Sequence, residues 1–199
     1  MSAIDFWFSI GSTYTYLTVR RLPELAAREG VDVTWRPFDV RAIMLEQNNI
    51  PFRDKPVKTA YMWRDIARRA GKYRLAPQLP APYPLNDLAF ANQVALLGLN
   101  EGWGQKFVIA AYENWFEKGL VPDEGEGLTA SLEAAGQDPE PTIARAASDT
   151  IAAQLVQDTE TARDLGVFGS PSFAVGGEIF WGDDRLEDAI AWARHGSLA

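Results

Sequence analysis

The sequence predicts an α/β protein in which a βαβ unit and a closing ββα unit enclose a large block of helices. Residues 4–10 form an apolar run that is rich in β-forming side chains and too short for a core helix, so they predict a buried strand. Residues 41–165 place apolar side chains mainly at helical spacing. Residues 173–181 form two short strand-like segments around Gly176-Gly177, which is typical of a β-hairpin.

The first 38 residues predict a strand, a helix and a second strand. Gly11 ends the first strand, and Ser12 or Thr13 is expected to cap a helix that continues to about Ala26. Residues 31–38 alternate apolar and polar side chains and predict the second strand. Such a connection is almost always right-handed and joins parallel strands.

The middle of the chain is predicted to be helical, apart from loops at residues 47–56 and 77–84. The second loop contains four prolines, which no helix or central strand tolerates at that spacing. The predicted helices span residues 58–70, 86–100, 104–118 and 128–135, and a long one spans 141–165.

After the hairpin, Asp183 or Asp184 is expected to cap a last helix. The complete order, βαβ, helices and ββα, is that of a thioredoxin-like fold with a large all-helical insertion. We therefore expect residues 1–40 and 166–199 to form the thioredoxin-like domain. Residues 41–165 form the predicted insertion, and its long last helix leads back to that domain.

The charge of the chain argues against some classes of partner. A net charge of −8 predicts no nucleic acid and no membrane as partner, because such binding depends on basic surface. Residues 53–74 nevertheless hold eight of the nineteen basic residues. This basic run is either a local field that attracts a small anion or an ordinary solvated helix face.

The chain contains no cysteine, which excludes disulfides, thiolate metal ligands and thiol chemistry by the protein itself. We predict no metal site, and any reactive thiol must come from a cofactor. The first residues lack the basic region of a secretory signal, and no apolar run approaches the roughly 20 residues that span a bilayer. A cytoplasmic location is therefore expected.

Ser12 is the first candidate functional residue, because it lies where the first strand meets the following helix. The free N–H groups and partial positive charge of a helix N-terminus suit an anion. The simpler interpretation is that the Ser12 hydroxyl only caps the helix. The residues alone leave both interpretations open.

Four motifs add a resemblance to a known family. The opening DFWFSIGSTYTYL resembles that of the 2-hydroxychromene-2-carboxylate isomerases and the kappa-class glutathione transferases, which are DsbA-like thioredoxin proteins. Three later segments are similar to motifs of the same families in the same order. They are NIPFRDKPVKTAY at residues 49–61, VFGSPSF at 167–173 and FWGDDRLE at 180–187.

The resemblance implies glutathione as the cofactor and a catalytic role for Ser12. Its hydroxyl would donate a hydrogen bond to the glutathione sulfur and favour the thiolate. Pro171 matches the proline that is cis throughout the superfamily, so we predict a cis peptide bond between Ser170 and Pro171. The exposed backbone of Ser170 would then pair with the cysteinyl part of glutathione.

The resemblance also implies contacts for the two ends of the tripeptide. Asn49 and Lys58 would meet the glycyl end, whose carboxylate suits a lysine. Asp183 and Asp184 would hold the γ-glutamyl amine. Thr13 follows Ser12 where these families usually have proline, and its hydroxyl is an alternative helix cap and an alternative partner for the sulfur.

The resulting hypothesis is a glutathione-dependent isomerase of the 2-hydroxychromene-2-carboxylate type. Its substrate would be a small aromatic or conjugated carboxylate, and the resemblance implies a homodimer. The alternatives are a kappa-like glutathione transferase and a non-catalytic thioredoxin-fold binding module. A disulfide oxidoreductase is excluded by the missing cysteines, and His195, as the single histidine, argues against a serine hydrolase.

Overall fold

The structure, a computed structural model, describes residues 3–52 and 54–198. Within these residues four strands form one sheet in the order β2-β1-β3-β4. The strands are β1 (Ile4–Phe8), β2 (Val33–Pro37), β3 (Ser172–Val175) and β4 (Glu178–Trp181). β1 is parallel to β2 and antiparallel to β3, and β3 and β4 form the predicted hairpin. The thioredoxin-like fold class is thereby confirmed.

β1 lies in the middle of the sheet and is covered on both faces. Phe6 is opposite Trp35 of β2 and Phe173 of β3, and its ring centroid is 5.1 Å and 5.5 Å from theirs. Trp7 faces the other side and packs against Phe38. Burial on both faces explains why Phe6, Trp7 and Phe8 form a continuous apolar run rather than an alternating pattern.

The prediction of one continuous helix after β1 is wrong. The structure has two helices there, α1 (Thr15–Val19) and α2 (Leu22–Glu29). Pro23 lies in the first turn of α2. A proline has no N–H to donate to the carbonyl four residues earlier, and its ring collides with that carbonyl. The chain therefore stops the first helix at Val19 and starts again.

Seven helices separate β2 from β3. They are α3 (Val40–Glu46), α4 (Pro56–Lys72), α5 (Leu88–Glu101), α6 (Gly104–Lys118), α7 (Gly125–Ala134), α8 (Pro139–Ala146) and α9 (Asp149–Asp164). This count of helices covers the described residues between β2 and β3, which do not include position 53. The proline-rich segment at 77–84 is irregular, as predicted.

Two features of this helical block differ from the prediction. α3 was not predicted, and it is capped by Asp39, whose carboxylate accepts from Arg41 N and Ala42 N. The predicted long helix at 141–165 is interrupted, since Ser148 takes an extended backbone (φ −70°, ψ 147°) and α9 begins after it. Ser148 followed by an acidic residue is a typical helix start.

The hairpin is followed by a 3₁₀ turn over Asp183–Arg185 and by α10 (Leu186–His195). The prediction that Asp183 or Asp184 caps the last helix is wrong. The residue that precedes α10 is Arg185, and no side chain caps that helix. The Asp183 carboxylate instead binds two arginines, as described below.

The main hydrophobic core includes Phe6 and Phe173 of the sheet, Met62 of α4 and Phe107 of α6. The sheet and the helical block therefore share one core, and the division at residues 1–40, 41–165 and 166–199 stays a prediction. α6 also packs on α1, where the ring centroids of Tyr16 and Phe116 are 4.3 Å apart. Across the described part of the chain, no helix combines the length and apolar character needed to cross a membrane.

Candidate active site

Ser12 lies in the loop between β1 and α1 and is half-buried. Its Oγ donates a hydrogen bond to the backbone carbonyl of Ser170 at 2.6 Å. α1 begins only at Thr15, and no side chain caps it. The interpretation of Ser12 as a helix cap is therefore wrong. α1 is also only five residues long, so its dipole adds little at Ser12.

Thr13 is buried. Its Oγ1 donates to the sulfur of Met62 in α4 at 3.0 Å. The hydroxyl that the resemblance left as an alternative to Ser12 is therefore already bonded inside the core. Ser12 is the hydroxyl of the pair that faces the carbonyl of Ser170.

The peptide bond between Ser170 and Pro171 is cis, as predicted. The Ser170 side chain turns inward, where its Oγ accepts from Ser9 N at 2.9 Å and shares a hydrogen bond with Thr15 Oγ1 at 2.9 Å. The side chain thus fixes the loop, while the carbonyl of Ser170 is directed toward Ser12.

A cleft of about 310 Å³ opens beside this pair. Four of the predicted site residues line it together, and Ser12 adjoins it through its hydrogen bond to Ser170. The lining residues are Tyr14, Tyr61, Asp65, Arg69, Ser170, Pro171, Trp181, Gly182, Asp183 and Asp184.

Asp183 is only 2% exposed, and its carboxylate is fully engaged by neighbouring donors. It accepts from Thr18 Oγ1 at 3.2 Å, from Arg21 Nη2 at 2.8 Å, and from Arg69 Nε at 3.0 Å and Nη2 at 2.6 Å. Burial opposes the charge on both arginines, but the bonds to Asp183 outweigh it and raise the pKa of each guanidinium. We call Asp183, Arg21 and Arg69 the ion cluster.

Asp184 differs from its neighbour. It is exposed, and its ion pair with Arg185 is loose, at 3.5 Å between Arg185 Nη2 and Asp184 Oδ2. Of the two adjacent aspartates, Asp184 is the one whose carboxylate is exposed.

α4 contributes three residues that the sequence analysis did not single out. Tyr61, Asp65 and Arg69 are four residues apart and therefore lie on one face of the helix, which lines the cleft. In the sequence, these three residues could have been found from their four-residue spacing within the basic run at 53–74. Arg53 of that run lies outside the described residues.

Tyr14 also lines the cleft, and its hydroxyl donates to Asp65 Oδ2 at 3.1 Å. Burial raises the pKa of Tyr14, and the charge and hydrogen bond of Asp65 raise it further. The Tyr14 hydroxyl therefore stays a donor throughout the physiological range. The sequence did not single out Tyr14 as a candidate site residue.

Trp181 forms an aromatic wall at the mouth of the cleft. Its side chain is 54% exposed, and its ring centroid lies 4.8 Å from that of Phe168. A Cβ at Gly169 would lie 2.4 Å from Trp181 Nε1, so the indole packs directly on the backbone there. This contact holds an exposed aromatic face in place next to Ser170.

The remaining predicted residues, Asn49 and Lys58, do not line this cleft. Lys58 lines a second cavity of about 530 Å³ with Lys55, Pro56, Val57 and Tyr61. Tyr61 lines both cavities. Asn49 is exposed on the loop after α3, where its N–H donates to Met44 O, and it is not among the residues that line either cavity. The binding roles of Asn49 and Lys58 stay predictions.

Comparisons with known proteins show which family the chain resembles. The family model of the DSBA-like thioredoxin domain matches residues 3–190. The chain is 31% identical over 186 residues to the 2-hydroxychromene-2-carboxylate isomerase of Sphingobium xenophagum, covering 92% of this chain and 94% of that protein. It is 26% identical over 197 residues to glutathione S-transferase kappa 1 of Caenorhabditis elegans, covering 92% of this chain and 87% of that protein.

The solved structure of a 2-hydroxychromene-2-carboxylate isomerase superposes with a TM-score of 0.84 at 26% identity, covering 98% of this chain and 97% of that one. These relatives are enzymes by name, so the prediction of an enzyme is confirmed. The chain therefore belongs to the DsbA-like thioredoxin family, and within it to the group of the 2-hydroxychromene-2-carboxylate isomerases and kappa-class glutathione transferases.

Proposed function

We propose that this protein is a glutathione-dependent isomerase of the 2-hydroxychromene-2-carboxylate type, and that Ser12 stabilises the thiolate of bound glutathione. The observation that carries the proposal is the bond from Ser12 Oγ to the carbonyl of Ser170, beside the cis Pro171 and next to the cleft. A chain without cysteine has no thiol of its own for this position.

The bond between Ser12 and Ser170 suggests how glutathione enters. The cysteinyl N–H of glutathione replaces Ser12 as the donor to the Ser170 carbonyl. The Ser12 hydroxyl then rotates toward the sulfur. One hydrogen bond between neutral groups is thus exchanged for two, and the new bond to the thiolate is charge-assisted and roughly twice as strong as a neutral one.

The strength of such a bond is sufficient to make the cofactor reactive. A free thiol with a pKa of about 8.5 is only a few per cent ionised at pH 7. A hydrogen bond to a charged group contributes about 1.5–3 kcal/mol, and one pKa unit corresponds to about 1.4 kcal/mol. Ser12 alone would therefore lower the thiol pKa by about one to two units.

The ends of glutathione are assigned by charge. Lys58, with Asn49, binds the glycyl carboxylate, and Asp184 binds the γ-glutamyl ammonium. Asp183 stays in the ion cluster with its carboxylate engaged, and we assign it the support of the adjacent turn rather than direct charge pairing with the ligand. This assignment separates the roles of two aspartates that the sequence treats alike.

The aromatic wall supports an aromatic or conjugated carboxylate as the substrate. Bound glutathione would supply a thiolate nucleophile that could add reversibly to the conjugated double bond and would be returned unchanged, as an isomerase requires. Ser12 would hold the sulfur, and Trp181 would lie against the substrate.

Two assays separate this proposal from its alternatives. 2-Hydroxychromene-2-carboxylate supplied with glutathione should isomerise without loss of glutathione. A kappa-like transferase would instead consume glutathione with an electrophilic chloroarene. A non-catalytic binding module would turn over neither substrate, and an immobilised-glutathione column would then report binding alone.

Replacing Lys58 with alanine is expected to weaken glutathione binding about tenfold and to leave turnover at saturating glutathione unchanged. The ammonium would contact a carboxylate far from the sulfur, so its contribution is the same in the ground and transition states. Isothermal titration and steady-state kinetics measure the two effects separately.

Lys55→Ala is the matched control for this prediction. Lys55 lines the same cavity, but its Nζ donates to Ile50 O. We expect little change in glutathione affinity. A lower turnover of Lys58→Ala at saturating glutathione, with unchanged affinity, would contradict the assignment of Lys58.

A further inference from the structure

Two buried polar side chains of the helical block hold the loop that carries Ser12. Tyr112 of α6 is fully buried, and its one hydroxyl hydrogen makes a bifurcated hydrogen bond to the carbonyls of Ser9 at 3.0 Å and Ser12 at 3.2 Å. Asn92 of α5 is also fully buried, and its Oδ1 accepts from Ile10 N at 2.9 Å.

The Asn92 amide is bonded on its other side as well. Its Nδ2 donates to Ser9 Oγ at 3.0 Å and to Leu88 O of its own helix at 2.7 Å. An amide or hydroxyl without partners in this core would cost about 1–3 kcal/mol. The bonds to the loop therefore satisfy these groups and at the same time fix two of its peptide units, the one between Ser9 and Ile10 and the one between Ser12 and Thr13.

We propose that Tyr112 and Asn92 are positioning residues for Ser12. This inference rests on the proposed role of Ser12 toward the glutathione thiolate. The bond from Tyr112 to the carbonyl of Ser12 itself fixes the following peptide plane, and with it the direction of the Ser12 side chain. The helical block is thereby coupled to the chemistry without touching glutathione.

The strength of the Ser12 bond depends on this alignment. Hydrogen bonds weaken steeply as the angle at the hydrogen falls below about 120°. If the loop were free to shift, the Ser12 hydroxyl would often lie at unfavourable hydrogen-bond angles to the sulfur. It would then stabilise the thiolate less. Burial raises the pKa of the Tyr112 hydroxyl, so it remains a donor at any pH used for the reaction.

Tyr112→Phe removes the hydroxyl and keeps the ring. We expect the pKa of the bound glutathione thiol to rise by about half a unit to one unit, and activity at pH 7 to fall about threefold to tenfold with recovery at higher pH. In the Ser12→Ala background the same substitution should leave the thiol titration unchanged, since Tyr112 acts through Ser12.

Tyr16→Phe is the matched control. Tyr16 is another buried tyrosine, and its hydroxyl donates to Glu117 of α6 rather than to the loop. The control should leave the thiol titration unchanged. Asn92→Leu serves as the second variant, and urea unfolding establishes that each variant is folded before its thiol is titrated.

The outcomes are distinct. Equal shifts in the wild-type and Ser12→Ala backgrounds would show that Tyr112 acts independently of Ser12 and would overturn the inference. Unchanged titrations in both Tyr112→Phe and Asn92→Leu would do the same, because the two side chains would then be structural only. If Ser12→Ala alone shifts nothing, the proposed thiolate role falls first and the inference falls with it.

Discussion

Replacing Ser12 with alanine is expected to raise the pKa of bound glutathione by about one to two units and to reduce activity at pH 7 about tenfold to a hundredfold. The reason is the loss of a charge-assisted hydrogen bond worth about 1.5–3 kcal/mol. The ultraviolet absorbance of the thiolate, followed against pH in the glutathione complexes of both proteins, measures the shift directly.

The pH dependence of the activity follows from the ionisation of the bound glutathione thiol. Its ionised fraction falls as the pH falls through its pKa, so the activity of the Ser12→Ala variant rises with pH over a higher range than that of the wild type. Its activity should partly recover above the unperturbed thiol pKa of about 8.5.

Thr13→Val is the control for this measurement, since the Thr13 hydroxyl is bonded to Met62 and not to Ser170. Thr13→Val should leave the pKa of the bound glutathione thiol unchanged. If the thiolate titration curves of the wild type and Ser12→Ala were superimposable, Ser12 would not stabilise the thiolate.

Replacing Asp183 with asparagine should cost about 3 kcal/mol of folding stability. The change keeps the size of the side chain but leaves two guanidinium groups without their shared counter-charge. Removing one partner of a buried ion pair typically costs about 3–5 kcal/mol. We expect the lower end because Arg21 retains a pair with Glu187 and the Arg69 side chain is 23% exposed. Urea unfolding measures the free energy of unfolding.

Asp184→Asn is the natural control, because the Asp184 carboxylate is exposed and only loosely paired with Arg185. Its free energy of unfolding should change by less than about 0.5 kcal/mol. Glutathione affinity should nevertheless fall, because this carboxylate is the proposed partner of the γ-glutamyl ammonium. Equal losses of stability in the two variants would contradict the distinction between them.

Much of the fold could be predicted from local patterns in the sequence. The apolar run of β1, the glycines of the hairpin and the prolines at 77–84 each determine their conformation through nearby residues. The break between α1 and α2 was predictable in principle, because Pro23 forbids a continuous helix there. The end of α8 depends on a single extended residue, Ser148, which periodicity does not reveal.

The candidate site required a different kind of information. Ser12 and Ser170 are 158 residues apart in the chain, so no local pattern predicts their hydrogen bond. The resemblance placed both in one site. It did not predict that Arg21 and Arg69 engage Asp183, because those arginines come from the start of α2 and from α4.

The position of β1 in the sheet has a consequence for biosynthesis. Its partner β2 emerges from the ribosome soon after it, but β3 follows only after the whole helical block. At about 5–20 residues per second, that block takes on the order of ten seconds to translate. During this interval one edge of β1 has no strand to pair with, and such edges promote aggregation. The edge of β1 that pairs with β3 therefore stays open until the last strands are made.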